Sequence, residues 1–125
     1  WKVAVAGAPV TSWFDQYNLG DANVTVARRL NGSPYTGDNL KNYAAQSPIT
    51  YAPRITTPTL IMCDTGDFRV PIAQAYELYH AIKEHGVPVK FIAYPVSGHF
   101  PADPVRAMDV YGRWTDWIDQ HLKGE

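Results

Sequence analysis

Three short apolar runs along the chain predict buried β-strands. Residues 59–63, which read Thr-Leu-Ile-Met-Cys, show no polar alternation, and this is typical of a strand covered on both faces in a parallel sheet. Residues 89–94 form a second run, and residues 3–10 form a third whose alanines and glycine favour close approach by a neighbouring backbone. Helical patterns separate the runs. The sequence therefore predicts an α/β protein with three parallel strands and helices on the faces of the sheet.

Residues 72–85 predict an amphipathic helix between the second and third strands. The apolar residues recur at i, i+3, i+4 and i+7, in the set Ala75, Leu78, Tyr79 and Ile82. Gly86 follows at the position where helices commonly end. His80 and His85 lie off this stripe, so we expect them to face solvent rather than to bind a metal.

Further helices are predicted on either side of this unit. The longest covers residues 105–122, and its expected buried stripe is Met108, Tyr111, Trp114, Ile118 and Leu122, with Trp117 at the edge. Shorter helices are predicted at 22–30 and at 39–45, and Asp38 is in position to cap the second of them.

A cluster of large apolar residues near the start of the chain shows no clear period and is interpreted as a loop. Its members are Val10, Trp13, Phe14 and Tyr17. They are either part of the core beneath a long connection or the wall of a pocket, because binding sites are lined mainly by apolar and aromatic side chains.

Two residues with catalytic potential follow neighbouring strands. Asp67 lies just beyond the strand at 59–63, and His99 lies just beyond the strand at 89–94. The carboxyl ends of parallel strands meet at one edge of a sheet, where α/β proteins place their ligands and their chemistry. An acid that orients a histidine supplies two of the three members of a nucleophilic triad. The alternative is a solvated aspartate and a histidine that merely caps a neighbouring group, and spacing alone does not choose between them.

Composition narrows the possible partners. The chain has 125 residues, of which 46% are hydrophobic and 18% are charged, and this describes one globular domain. A net charge of −1 and the lack of a Lys/Arg run argue against nucleic acid and membrane surfaces as partners. The single cysteine, Cys63, excludes an internal disulfide, and its place in a buried strand favours a core thiol. We expect neither a cofactor nor a metal ion.

The predicted strand at residues 3–10 would have one edge without a partner strand in this chain. The chain enters this strand within a few residues of Trp1, so we expect it to be a fragment of a longer protein. An unpaired edge on the strand at 3–10 is a feature that natural proteins usually avoid. We therefore expect the remainder of the protein, or a second copy of the chain, to lie against it. The sequence assigns the protein to no cellular compartment.

Four motifs together resemble one enzyme family. They are 8–13 (Ala-Pro-Val-Thr-Ser-Trp), 47–52 (Ser-Pro-Ile-Thr-Tyr-Ala), 67–71 (Asp-Phe-Arg-Val-Pro) and 98–100 (Gly-His-Phe). In this combination the chain resembles the C-terminal half of the catalytic domain of prolyl-oligopeptidase-family serine peptidases, most of all the dipeptidyl-peptidase and acylaminoacyl-peptidase branches. The resemblance covers essentially all of residues 1–125.

The resemblance implies a fold and a set of roles. It implies a partial α/β-hydrolase fold that contains the last three strands of the sheet, and a peptide as the substrate. Asp67 would be the triad acid and His99 the triad base. Val10, Trp13 and Val70 would wall the pocket for the residue that precedes the scissile bond, and Arg69 would lie next to that pocket. Ordinary packing for Val10 and Trp13, and a loop-holding salt bridge for Arg69, remain the structural alternatives.

The chain departs from the family pattern in two places. Cys63-Asp64 stands where the family usually has His-Gly, so Asp64 is a second carboxylate near the site, and Asp67 is preferred to it on the Asp-x-Arg-Val-Pro match. None of the serines Ser12, Ser33, Ser47 and Ser97 lies in a G-x-S-x-G elbow. We therefore expect the nucleophile upstream of Trp1, and we expect this chain alone to be inactive.

Other functions compete with the peptidase. An esterase would use the same triad, and a folded but silent α/β module that self-associates would need none. A flavodoxin-like binding module would need a Gly-rich phosphate loop after the first strand. Gly7-Ala8-Pro9 is not such a loop, because Pro9 lacks a backbone N–H.

Overall fold

The computed structural model describes residues 1–99 and 101–123 and contains one parallel sheet. Its strands are β1 (Ala4–Gly7), β2 (Thr59–Gly66) and β3 (Val89–Ser97), in the order β1-β2-β3. β2 is the central strand and pairs in parallel with both of its neighbours. The predicted α/β fold with three parallel strands is confirmed.

Five α-helices and one 3₁₀ helix surround the sheet in the described residues. They are α1 (Trp13–Leu19), α2 (Asn23–Arg29), α3 (Asn39–Gln46), the 3₁₀ helix Pro48–Arg54, α4 (Ala73–Glu84) and α5 (Pro104–Leu122). α3 begins directly after Asp38 as predicted, although the Asp38 side chain makes no capping hydrogen bond. No helix in the described part of the chain is both long enough and apolar enough to cross a bilayer.

α4 covers one face of the sheet. Ile61 and Cys63 of β2 point to this face and pack against Ala75, Leu78 and Ile82, all of which are buried. Tyr79 is partly buried at the side of the same cluster. The helix stops before Gly86, whose φ of +71° suits glycine. The stripe predicted for this helix is confirmed, and His80 and His85 are exposed as expected.

α5 lies on the opposite face, in an orientation that the sequence analysis predicted wrongly. Leu60 and Met62 of β2 pack against Val110 and Trp117. Three members of the predicted stripe are exposed instead, namely Met108, Tyr111 and Leu122. The cause is that apolar residues occur around most of this helix, so more than one stripe has helical period, and only contact with the sheet selects between them.

The region read as a loop contains α1. Ser12 caps the helix by accepting the Asp15 backbone N–H at 3.2 Å. Trp13 and Tyr17 pack against a small core formed by the buried side chains Val26, Leu30 and Tyr43. The loop interpretation was wrong because seven residues make only about two turns, too few for a period to be recognised.

The strands differ in length from the prediction. β1 ends at Gly7 rather than at residue 10, because Ala8 adopts a φ of 42° and Pro9 has no N–H to continue the ladder. β2 and β3 extend to Gly66 and Ser97, three residues beyond the predicted ends. These extensions carry the chain directly to Asp67 and to His99.

Candidate active site

The ends of β2 and β3 lie unusually close together. Gly66 pairs with Ser97, and a Cβ on Gly66 would lie only 3.1 Å from both Cα and Oγ of Ser97. Glycine is therefore needed at this position for the two strand ends to approach. Gly98 has a φ of +119°, in the region that favours glycine, and it turns the chain immediately before His99.

Asp67 and His99 contact each other at this edge of the sheet. His99 Nδ1 lies 2.7 Å from Asp67 Oδ2. The other carboxylate oxygen, Oδ1, accepts the backbone N–H groups of Arg69 and Val70 at 2.8 and 3.0 Å. The Asp67 side chain is 1% exposed and that of His99 is 29% exposed. The carboxylate is thus buried and fixed in orientation, while the imidazole reaches the surface.

Asp64, the rival carboxylate, is bound by a different residue. It lies on the same face of β2 as Leu60 and Met62, four and two residues earlier, and its Oδ2 is 3.0 Å from Arg106 Nη1 of α5. Burial raises the pKa of the Asp64 carboxyl, and the Arg106 charge opposes this rise. Of the two carboxylates, Asp67 is the one that contacts His99.

Cys63 is part of the core. It is buried between the sheet and α4. Burial, followed by the nearby charges of Asp64 and Asp67, raises the pKa of its thiol to about 12. A thiol that stays protonated is a poor nucleophile, so the expectation of a core thiol is confirmed.

A cavity of about 640 Å³ opens beside His99. Val10 and Val70, two of the predicted pocket residues, line it together with His99, and so do Ala8, Met62, Asp64, Tyr94 and Trp114. The lining is mainly apolar with a few polar groups, as in small-molecule and peptide pockets.

The structure places Trp13 and Arg69 outside the lining of this cavity. Trp13 packs against the α2–α3 core. Arg69 forms a two-point ion pair with Asp21, with Nε to Oδ1 at 2.7 Å and Nη2 to Oδ2 at 3.2 Å. The Arg69 guanidinium lowers the pKa of the Asp21 carboxyl. Arg69 and Asp21 line a second, shallow cleft that also borders His99.

Two buried glutamines, for which the sequence pattern predicted no role, form a hydrogen-bond network beside the site. Gln74 of α4 is fully buried, and its Oε1 accepts the N–H groups of Thr11 and Ser12 at 2.9 and 3.0 Å. Its Nε2 donates to Gln16 Oε1 at 2.7 Å, and Gln16 Nε2 donates to the Arg69 carbonyl at 2.6 Å. The network joins the segment after Val10 to the loop of Asp67. One signal was available: Gln74 precedes Leu78 by one helical turn and so lies on the core side of α4.

Across residues 1–99 and 101–123, no group of three or more histidine, cysteine, aspartate or glutamate side chains could hold a metal ion.

Comparisons with known proteins relate the whole chain to one family. Residues 1–125 match the family model described as the prolyl oligopeptidase family. The chain is 36% identical over 97 residues to the acylamino-acid-releasing enzyme of Mus musculus, which covers 73% of the chain and 13% of that enzyme. It is 31% identical over 81 residues to dipeptidyl peptidase family member 6 of Caenorhabditis elegans, covering 65% of the chain and 11% of that protein.

A solved structure has the same fold over the whole length of the chain. Acylaminoacyl peptidase from Pyrococcus horikoshii superposes with a TM-score of 0.88 at 22% identity, over 100% of this chain and 21% of that one. The fold described above is therefore part of an α/β-hydrolase fold. The chain spans only about one eighth of the length of the mouse relative.

Proposed function

The chain belongs to the prolyl oligopeptidase family, and from this premise we propose that it is the C-terminal part of the catalytic domain of a serine peptidase. In this proposal Asp67 and His99 are the acid and the base of the triad, and the protein hydrolyses short peptides by acyl transfer. The chain supplies no nucleophile, because none of its serines lies in a G-x-S-x-G elbow. Another part of the protein contributes the serine, and residues 1–125 alone do not catalyse hydrolysis.

The contact between Asp67 Oδ2 and His99 Nδ1 is the observation that carries the proposal. With Nδ1–H donated to the carboxylate, the opposite nitrogen Nε2 is the one that takes the proton of the serine hydroxyl. The same nitrogen later returns the proton to the leaving amine. Asp67 holds the required tautomer and stabilises the imidazolium that forms, and its buried carboxylate is itself held by two backbone N–H groups.

The cavity beside His99 supports a peptide substrate. Val10 and Val70 border it next to the imidazole, so they would contact the side chain that precedes the scissile bond. The relatives named above release acylamino acids or are dipeptidyl peptidases, and this favours short peptides cleaved near their N-terminus. Arg69 would act through its ion pair with Asp21 by holding the loop that bears Asp67.

Substitution of the proposed base tests this function in the full-length protein. We expect His99→Ala to lose at least about 10³-fold in kcat on N-acylated and free dipeptide anilides. His80→Ala, which removes an exposed histidine from α4, is the matched control and should retain activity. Turnover of His99→Ala close to that of the control would refute the proposal. Matched ester substrates in the same assay separate a peptidase from an esterase.

A further inference from the structure

A nearly buried ion pair joins the first turn of α5 to the end of β2. Arg106 Nη1 lies 3.0 Å from Asp64 Oδ2, and each side chain is only 10% exposed. Asp103, the capping residue of α5, contacts Arg106 twice. Its Oδ1 accepts the Arg106 backbone N–H at 2.8 Å, and its Oδ2 lies 3.8 Å from Arg106 Nε.

Neither charge is favourable in its position without the other. Arg106 lies in the first turn of a helix, where the macrodipole disfavours a cation. Asp64 lies at the end of an apolar strand, where removal from water disfavours the carboxylate. Removing one partner of a buried pair leaves an uncompensated charge. The arrangement therefore implies that the two residues act as a unit.

This unit lies near the proposed catalytic base. Asp64 and His99 line the same cavity, and His99 precedes the α5 cap, Asp103, by only four residues. The described charged groups around the imidazole come from three places. They are Asp64 and Asp67 at the end of β2, the Asp21–Arg69 pair across the shallow cleft, and Arg106 with Asp103 at the start of α5.

These charges are balanced in pairs. Arg69 neutralises Asp21, and Asp67 is the hydrogen-bond partner of His99. Asp64 is the remaining carboxylate on the cavity side, and Arg106 is its ion-pair partner. Without Arg106, the ionised form of Asp64 would place a second negative charge near the imidazole and favour its protonated form. A protonated imidazole cannot accept the proton of a serine.

We propose that Arg106 is a positioning residue for the catalytic base, which neutralises Asp64 so that Asp67 alone sets the charge at His99, and which ties the start of α5 to the end of β2. The inference rests on the proposed function, since it concerns the residue given the role of base. It adds to that function a residue outside the triad, Arg106, and makes the charge of His99 depend on the pairing of Arg106 with Asp64.

The pH dependence of kcat/KM in the full-length protein tests this role. In Arg106→Met the acidic limb of the profile should move to higher pH by about one unit, the size expected for an unbalanced charge nearby. At a given pH on the acidic side of the limb, kcat/KM of Arg106→Met should then be about tenfold lower than that of the wild type. Asp64→Asn removes the carboxylate and keeps the positive charge of Arg106, so its limb should move to lower pH. In the double variant Asp64→Asn/Arg106→Met both charges are absent, and the limb should return close to the wild-type position.

Two further variants separate charge from structure. Arg113→Met removes a partly exposed ion pair with Asp109 on the same helix, and its profile should match the wild type. Arg106→Lys keeps the charge, so it should keep the position of the limb even if the melting temperature falls. If Arg106→Met does not fold, the shift to lower pH expected in Asp64→Asn carries the test, and an unchanged limb in that variant would overturn the inference.

An unchanged limb in Arg106→Met, or a double variant that stays displaced, would overturn the inference. This failure differs from failure of the proposed function, in which hydrolysis would persist in His99→Ala.

Discussion

Asp67 Oδ2 lies 2.7 Å from Nδ1 of His99, although 32 positions separate the two residues. Local features at the strand ends produce this contact. β2 and β3 end side by side, Gly66 permits their close approach, and the loop after β2 directs two backbone N–H groups at the second oxygen of Asp67. The Asp67 carboxylate is therefore held in one orientation, which is the form of preorganisation that the proposed acyl transfer would require.

Asp67→Asn should abolish most of the activity without unfolding the protein. The asparagine Oδ1 can still accept the N–H groups of Arg69 and Val70, but an amide can neither hold the same tautomer nor stabilise the imidazolium. We expect kcat of the full-length protein to fall on the order of 10⁴-fold, with an unchanged circular dichroism spectrum. Asp119→Asn, in an exposed pair on α5, is the control, and turnover within a few-fold of that control would contradict the role of Asp67.

Gln74→Met should strongly destabilise the protein although it changes the side-chain volume little. The substitution conserves volume but leaves the N–H groups of Thr11 and Ser12 and the Oε1 of Gln16 without their buried partner. An unsatisfied buried polar group costs about 1–3 kcal/mol, so we expect the free energy of unfolding to fall by about 2–4 kcal/mol, measured by urea denaturation. Gln46→Met, at the exposed end of α3, should change it little. Equal effects in the two variants would mean that the network contributes nothing.

Glu77 should make stability depend on pH. Burial, together with a hydrogen bond to Asp15 and the charge of Asp15, raises the pKa of Glu77 from 4.5 to about 7. The folded state therefore favours the protonated acid, so this contribution is fully present below about pH 4.5 and is lost as the pH rises through 7. Glu77→Gln, which mimics the protonated form, should raise the melting temperature relative to wild type at pH 8 but not at pH 4.5.

The control for this pH dependence is Glu84→Gln, at the exposed end of the same helix. Its difference from wild type should be the same at both pH values. If Glu77→Gln behaves in the same way, the interaction of Glu77 on α4 with Asp15 on α1 is not the origin of the pH dependence.

Features that neighbouring residues along the chain determine could be predicted from the sequence, and features that tertiary contacts determine could not. The α4 stripe was predictable because one regular period ends at one glycine. The position of Asp67 and His99 was predictable because parallel strands bring their carboxyl ends together. The face of α5 was not, since apolar residues surround that helix and only the sheet selects the buried side.

Two features of the site needed the tertiary structure. The partner of Asp64 follows from the length of β2: the strand continues past Cys63, so alternation turns Asp64 toward α5 and Arg106. The network of Gln16 and Gln74 joins residues 58 positions apart. A polar residue on the core side of a helix signals that a partner exists, but no local pattern names that partner.

The outer edge of β1 offers a last prediction. Ala4 and Ala8 donate their N–H groups to carbonyls at 58 and 62, on the β2 side, so alternation directs the amides of Val5 and Gly7 to the opposite edge. No strand of the described residues pairs there, and such edges are usually covered. We propose that the rest of the catalytic domain adds a strand at this edge in the full-length protein. Hydrogen exchange resolved to single amides should then show Val5 and Gly7 protected as strongly as Ala4, independently of protein concentration. Protection that rises with concentration would indicate a second copy of the protein instead, and exchange as fast as at the exposed Gly37 would show that the edge is uncovered.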